Sequence, residues 1–522
     1  MSNGKGVLVS LGITGVIGFI VNYLCLPAWN LHSGGFWLYL IVMFGIFATL
    51  SYICTEGSGI SVAAWVGTAI LFVLMLILLV FSSRLINSKS YADMIEDYIR
   101  EEDISTYAGT VNNVPLLDKD SAMLIANREL GSLIDVVSQF EIHDSEQITV
   151  KGVPVRVSVL EYGSFMKWVN NKETGTPGYI KVDMKTQDAE LIRVDGGIKY
   201  SPSEYFGRDL LRHVRKKYSS LILEKPTLEL NEEGHPYWII PIVDYTIGVF
   251  GGKDISGALT VDAVTGEIVR YKADSIPEWL DNVYPSDLIM TQYDDYGQFQ
   301  SGFLNSIFGQ KGVKVTTDGY NYIPQLYDNW IYTGVTSTGR DESNIGFILV
   351  NKRTKEIIYY PKSGAEEYSA MSSAEGVVQH LGYKSTFPLL LIIEGQPTYM
   401  VTLKDAGGLV KMIGMVNVEK YHIVATGNTI AECQKKYREL LKNNGSEVAE
   451  LSTSSVVGIV VDIKEAIKDG TTYYYIQLEN SDKYYSLSIL DNEEVVLLQI
   501  GDKVKLGVIS DVNGKIIPSI LN

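Results

Sequence analysis

Cysteine is nearly missing from this chain. Three occur in 522 residues: Cys25, Cys54 and Cys433. The stretch from Arg84 to Glu432 has none, which excludes a disulfide framework and a cysteine-built zinc site. Histidine is also sparse. His32, His143, His213, His235, His380 and His422 are scattered, and no two stand at metal-ligand spacing. The chain has no Gly-x-Ser-x-Gly elbow, no Walker loop and no dinucleotide fingerprint. Gly234-His235-Pro236 reads as a turn, and a catalytic base there would need a positioned partner. Phe250-Gly-Gly-Lys-Asp and Phe308-Gly-Gln-Lys-Gly contain Gly and Lys without the strand-loop-helix setting of a phosphate loop. They read as similar turns. Carboxylates are plentiful, yet no spacing selects a pair. No catalytic, cofactor-binding or metal-ligating residue is therefore nominated, no cofactor is expected, and the chain reads as a binding protein with no enzyme activity.

Charge is the second shortage. The first 83 residues carry only Lys5 and Glu56. Three apolar runs, 6–26, 36–54 and 60–81, are each near the ~20 residues a helix needs to cross a hydrocarbon core. Trp29, Trp37, Tyr39 and Tyr52 sit near their ends, as interfacial aromatics do. A cleaved signal peptide fits poorly, since two more spans follow and no small-x-small site stands out. Small residues recur four apart (Ser10, Thr14 and Gly18; Ala63 and Gly67; Ala64 and Thr68). This spacing suits either packing among the three helices or self-association. The absence of an ionisable residue inside a span argues against an ion pathway or proton relay. The remainder holds the whole net charge of −17. That balance argues against nucleic acid or anionic lipid bound through bulk electrostatics. Tyr is abundant, with 33 residues, and reads mainly as strand composition.

A nine-residue pattern occurs three times. It reads Gly178-Tyr-Ile-Lys-Val182-Asp183-Met-Lys-Thr186, Gly257-Ala-Leu-Thr-Val261-Asp262-Ala-Val-Thr265 and Gly346-Phe-Ile-Leu-Val350-Asn351-Lys-Arg-Thr354, at spacings of 79 and 89 residues. An acidic residue and an apolar strand follow each copy. Such a period marks one small folded unit. Gly-x-Ile/Leu-x-Val is a strand, Asp or Asn with the following Thr makes a turn, and the chain returns as a hairpin. Asp183, Asp262 and Asn351 are thus expected to be turn formers before ligand residues. Helices are expected ahead of the copies from Asp120, at 203–218 with Phe206, Leu210, Val214 and Tyr218 on one face, and at about 296–308. A worn fourth copy reads Gly414-Met-Val-Asn-Val418-Glu419, after a helix at 373–381.

The order helix, strand, strand with a closing hairpin resembles the PepSY domain, most closely at Val261-Asp262-Ala263-Val264-Thr265-Gly266-Glu267-Ile268. Gln187 and Lys355 replace the Gly in the other copies. The resemblance spans roughly 115–427. It implies binding or inhibitory modules on the outer side of a bacterial membrane, often near peptidases, with no catalytic residue to carry over. The whole chain resembles multi-pass membrane proteins of Gram-positive bacteria.

The fold class is α+β, divided as a three-helix membrane anchor (1–83), an acidic neck (84–114) expected to be helical, PepSY-like units at 115–200, 201–290 and 291–365, a degenerate fourth at 366–428, a helix and linker (429–454), and a five-stranded OB-like barrel (455–522). Tyr473, Tyr475, Tyr484 and Tyr485 could stack bases, but the barrel is acidic, so no nucleic acid is expected. Lys5 favours an inside N-terminus. Arg84, Lys89 and Arg100 count for an inside C-terminal region, whereas the PepSY resemblance and the cysteine-free stretch favour outside, which is the expectation adopted. The function expected is a membrane-anchored interaction or assembly protein of the cell envelope, with protein partners or self-assembly. The alternative is a regulator of an envelope peptidase, or an envelope enzyme with an unrecognised site.

Overall fold

The computed structural model describes residues 3–107, 114–325, 328–337, 343–446, 453–468, 471–479, 481, 483–489, 492–510 and 516–520. Parts of the expected neck (108–113) and linker (447–452) lie outside the described residues. The chain divides into two compact bodies, 1–369 and 370–522.

The first body begins with three apolar helices, α1 (Asn3–Cys25), α2 (Gly34–Thr55) and α3 (Gly59–Phe81). All three are long and apolar enough to cross a membrane. Their small residues are used against one another. A Cβ on Gly6 would stand 2.7 Å from Cys54 O, and one on Gly18 would stand 3.1 Å from the Tyr39 hydroxyl. Ser10, Ala48, Ser51 and Ser61 are fully buried. Close backbone approach at small residues is the packing rule of apolar helices.

Helix α4 (Arg84–Asp93) follows, but the neck does not continue as a helix. Ile95 drops into the core. Strand β1 (Ile99–Glu101) then joins a sheet edge in parallel with residues 357–359. An apolar residue and a free sheet edge outcompete the helical pattern here.

Three sheets of four, five and seven strands come next, each built round a four-stranded antiparallel meander. The first is β2 (Glu146–Val150), β3 (Val153–Val159), β4 (Thr176–Asp183) and β5 (Ala189–Ile198), preceded by α5 (Lys119–Ser132). The second is β6 (Thr227–Leu230), β7 (Pro236–Ile247), β8 (Gly251–Asp262) and β9 (Ile268–Lys272), preceded by α6 (Leu210–Lys217). The third is β10 (Asn321–Gln325), β11 (Asp328–Ser337), β12 (Ser343–Asn351) and β13 (Ile357–Tyr360), preceded by α7 (Ser286–Phe299). Three helices therefore differ from expectation. Helix α5 is capped by Asp118, which accepts from Ser121 N. Helix α6 starts only after Asp209 caps Arg212 N, so Phe206 is left outside it, exposed. Helix α7 starts after Pro285 and ends at Phe299, because Gly302 takes φ +84°.

Asp183, Asp262 and Asn351 turn the chain in the same way. Oδ1 of each accepts the backbone N–H groups two and three residues on, at 2.8 to 3.0 Å. The Thr hydroxyl of each copy then accepts the N–H two residues later at 3.3 to 3.4 Å. Gln187, Gly266 and Lys355 all take the left-handed conformation, with φ of 66°, 77° and 68°. The leading glycine has a separate cause. A Cβ on Gly178 would lie 1.9 Å from Ile192 O, and one on Gly257 would lie 2.2 Å from Tyr271 O.

Sheet two is buried on both faces. Trp238, Ile240, Ile242, Leu259 and Val261 share a core with Val155, Val157 and Tyr179 of sheet one and with Leu210 and Val214 of α6. Ile239, Val243, Ile255 and Ala258 share another core with Ile331, Val335, Ile348 and Val350 of sheet three and with Leu288, Ile289 and Tyr293 of α7. This is why Pro236 to Val243 reads as a continuous apolar run with no alternation.

The meanders sit directly on the apolar helices. Arg215 Nε donates to Leu26 O (3.2 Å), Trp29 N to Ser219 O (2.9 Å) and His32 Nδ1 to Val249 O (2.9 Å). Ser82 Oγ accepts from Val249 N and Phe250 N. The end of α1, the start of α2 and the end of α3 therefore face the second meander.

Helix α8 (Glu367–Val377) crosses the boundary at 369–370 and begins earlier than expected. Glu367 starts it, fixed at 2.8 and 3.0 Å by Tyr332 OH and Asn344 Nδ2. In the second body, β14 (Leu389–Ile393), β15 (Gln396–Lys404), β16 (Val410–Asn417) and β17 (Val424–Gly427) form another meander, followed by α9 (Ile430–Asn443). Its turn residue is Asn417, which accepts from Glu419 N (3.1 Å) and Lys420 N (2.7 Å). The expected alignment on Gly414, Val418 and Glu419 is therefore shifted by two. Val416 occupies the buried place before the turn, and the Asx side chain, not the glycine, sets the register.

Five C-terminal strands close the chain: β18 (Thr453–Lys468), β19 (Thr471–Leu478), β20 (Tyr484–Ser488), β21 (Lys503–Ser510) and β22 (Ile516–Ile520), in the order β20-β19-β18-β21-β22. Strand β18 pairs with β21 through its first half and with β19 through its second, across a register shift after Val460. Tyr485 points into the core, Tyr473 and Tyr475 are half-buried, and Tyr484 is exposed. By the strand register, Tyr473, Tyr475 and Tyr484 lie on the outer face and Tyr485 on the inner one.

Candidate functional site: a buried ionic junction

In the turns of the first two meanders, the residue after Asp183 and Asp262 is apolar. Met184 and Ala263 are both fully buried there, and Val418 fills the same place after Asn417. In the third meander that place holds Lys352, also buried. Its ammonium donates to Asn282 Oδ1 and lies 4.8 Å from the centre of the Tyr322 ring. Glu229 of β6 is buried and accepts from Asp281 N (2.8 Å) and Asn282 N (2.7 Å). Asp281, also buried, accepts from Thr149 N of β2. Asn282 Nδ2 and Asn329 Nδ2 both donate to Gln147 O, at 3.3 and 3.1 Å. All three meanders contribute to this one junction.

Burial raises the Asp281 carboxyl well above the usual range, and the neighbouring Glu229 pushes it further. Burial also raises Glu229, against the two backbone N–H groups it accepts. Burial lowers Lys352, against the pull of Glu146 and Glu229.

Lys355, from the same turn, reaches into the second meander as well. It is fully buried, 2.7 Å from Asp254 Oδ1, with the Tyr98 and Tyr284 rings at 4.8 and 5.7 Å. Arg353 between them forks onto Asp328 at 2.7 and 2.8 Å. One turn thus carries two buried cations, Lys352 bound to Asn282 and Lys355 to Asp254 of the second meander. The charge can be compensated there only by the partners named, since burying an unpaired ion is costly.

Among the described residues, no group of three His, Cys, Asp or Glu side chains could hold a metal ion. His213 Nε2 donates to Gly266 O (2.8 Å), and His235 Nε2 donates to Asp262 Oδ2 (3.0 Å). His143, His380 and His422 are exposed. Asp262 feels burial raising its pKa, yet the N–H groups of Thr265 and Val264 together with His235 hold it below the ordinary value. The three Asx residues thus form turns, with Oδ1 of each taken by two backbone N–H groups. Phe250-Gly251 begins a hairpin packed against Ser82, whereas Phe308 ends a π-helical turn, Asn305–Gly309. The two segments are not similar turns after all. Two open clefts, about 570 and 440 Å³ in volume, mark the first body. In the smaller one Arg84 pairs with Asp295 and Lys253 with Glu224.

No protein-family model matches the chain, and no curated protein is significantly similar to it. The reading of the site therefore rests on its own geometry. Sequence reasoning missed Glu229, Asp281, Asn282 and Lys352. The signal for Lys352 was present: aligning Met184, Ala263 and Lys352 sets a cation in an apolar column. The other three carry no local pattern, because they meet only after the meanders stack.

Proposed function

We propose that this chain is a membrane-anchored, non-catalytic interaction or assembly protein of the cell envelope. Its three apolar helices cross the membrane. Its meanders are tandem PepSY-like modules, and its C-terminal strands form an OB-like barrel that contacts protein and not nucleic acid. The observation that carries the reading is the second sheet, buried on both faces by its neighbours. Modules that share cores in this way act as one stiff body and present a long continuous surface, as stacked repeats do. The ionic junction fixes the angle between them.

Crosslinking in native membranes followed by affinity purification tests the reading. Discrete stoichiometric partners or a homomeric ladder is expected. A co-purifying hydrolase whose rate changes on binding would replace assembly with regulation. We place the region after Arg84 outside the cytoplasm. Protease added to intact spheroplasts is then expected to remove it, and protection until lysis would reverse the orientation.

A further inference from the structure

The net charge of −17 conceals a local reversal. Between Arg208 and Lys217, five of ten residues are Arg or Lys, and only Asp209 is acidic. This segment is helix α6 and the turn before it, and the fold sets it beside the end of α1. The Arg212 guanidinium stacks over the Tyr23 ring at 3.9 Å. Tyr23 lies in the last turn of α1, so the guanidinium stands at the level where an apolar helix leaves the hydrocarbon. Asp209, the cap of the helix, stands 4.0 Å away, and Arg212 Nε and Nη1 are buried with no hydrogen-bond partner among the described residues, which leaves Lys216 and Lys217 as the exposed cations of α6.

The exposed apolar residues around α6 follow the same pattern. Leu211, on the helical face shared by Arg212 and Arg215, is 37% exposed. Just ahead of the helix, Phe206 is 57% exposed with φ +56°. A bulky residue in the left-handed region is strained, and here its ring lies outside the core. Phe206 packs at a tilt against the Trp168 and Tyr205 rings, and Phe165 and Met166 beside them are 46% and 65% exposed. Aromatic and apolar side chains bordered by Arg and Lys, level with the end of a spanning helix, match the headgroup zone of a bilayer. Cations there are attracted to anionic headgroups.

We infer that helix α6 and the Phe165–Phe206 knuckle form a second membrane contact, a surface that binds the headgroups of anionic phospholipids and inserts Phe206 at the interface. The inference rests on the proposal that α1, α2 and α3 span the membrane. The contact would hold the meanders flat against the bilayer on the side of α6.

The test uses the full chain in nanodiscs of phosphatidylcholine, with and without phosphatidylglycerol. Cys25 and Cys54 are changed to Ser, while Cys433 stays, since burial pushes its thiol up to about 12 and leaves it unreactive. A nitroxide is attached at Phe206→Cys or, as a reference, at Glu232→Cys, which is exposed on the turn before β7. At position 206 the nitroxide is expected to be several-fold less accessible to a water-soluble nickel complex than at 232, and more accessible to oxygen. Phosphatidylglycerol is expected to widen that difference, and Lys216→Glu with Lys217→Glu to abolish the widening. Equal nickel accessibility at the two positions in both lipids would overturn the contact. Shielding at 206 that ignores both phosphatidylglycerol and the two Glu substitutions would overturn the anionic-headgroup part. Alkaline carbonate extraction separates the failures: release of the full chain removes the anchor itself, whereas retention with an accessible position 206 removes only this contact.

Discussion

Replacing Lys352 with alanine is expected to destabilise the first body by about 3–5 kcal/mol, the cost of leaving buried carboxylates without their cation. Lys352 donates to Asn282, and Asn282 N in turn donates to Glu229. With the ammonium gone, Glu229 and Asp281 face each other in a site that excludes water. Removing one of the charges should offset part of the loss. Lys352→Ala combined with Glu229→Gln is therefore expected to fall short of the summed single losses by about 0.5–3 kcal/mol, a coupling typical of groups in one network. Thermal unfolding in detergent, followed by tryptophan fluorescence, reads both effects. A Lys352→Ala protein that melts with the wild type would show that the junction carries no such load.

The same variant has a pH signature. Burial raises both carboxyls in the folded chain. A raised folded pKa favours the folded state when the group is protonated. That contribution is complete below the unfolded value near ~4 and disappears as the pH climbs through the raised folded value. The defect of Lys352→Ala is therefore expected to be largest at neutral pH and to shrink as the pH falls toward 4. A defect that grew on acidification would mean that losing Lys352 does not raise the two carboxyls in the fold.

The parts of this architecture readable in the sequence are those fixed by neighbours along the chain. The turn at Asp262 needs only an Asx oxygen, a Thr hydroxyl and a residue that tolerates positive φ, all within six positions. The three apolar helices need only their own composition. Elements whose boundaries depend on distant partners were displaced. Phe206 has the spacing of a buried helical residue, yet Glu204 two residues earlier is held by Tyr162 and Trp168, 42 and 36 positions away. That clamp and the Asp209 cap delay the helix. Ile95 fits a helical neck until sheet three offers it a core. The ionic junction was the least readable, because its members come from residues 147 to 352 and no two of the charged ones share a local pattern.

Ile239 and Ile240 give the sharpest test of the stacking. They are consecutive in β7 and both fully buried. Side chains of neighbouring strand residues point to opposite faces, and these two enter different cores, Ile239 with the third meander and Ile240 with the first. In a sheet with one solvated face, only one of any such pair would matter. Here Ile239→Ala and Ile240→Ala are each expected to cost about 2–5 kcal/mol, the range for truncating a buried aliphatic side chain. The cavities lie on opposite sides of the sheet and share no lining, so the double variant should lose close to the sum. Unfolding of the two single variants in detergent, with the apolar helices intact, measures both. If either substitution proved silent, that face of sheet two would be open to solvent, and the meanders would be separate domains on a string instead of one stiff body.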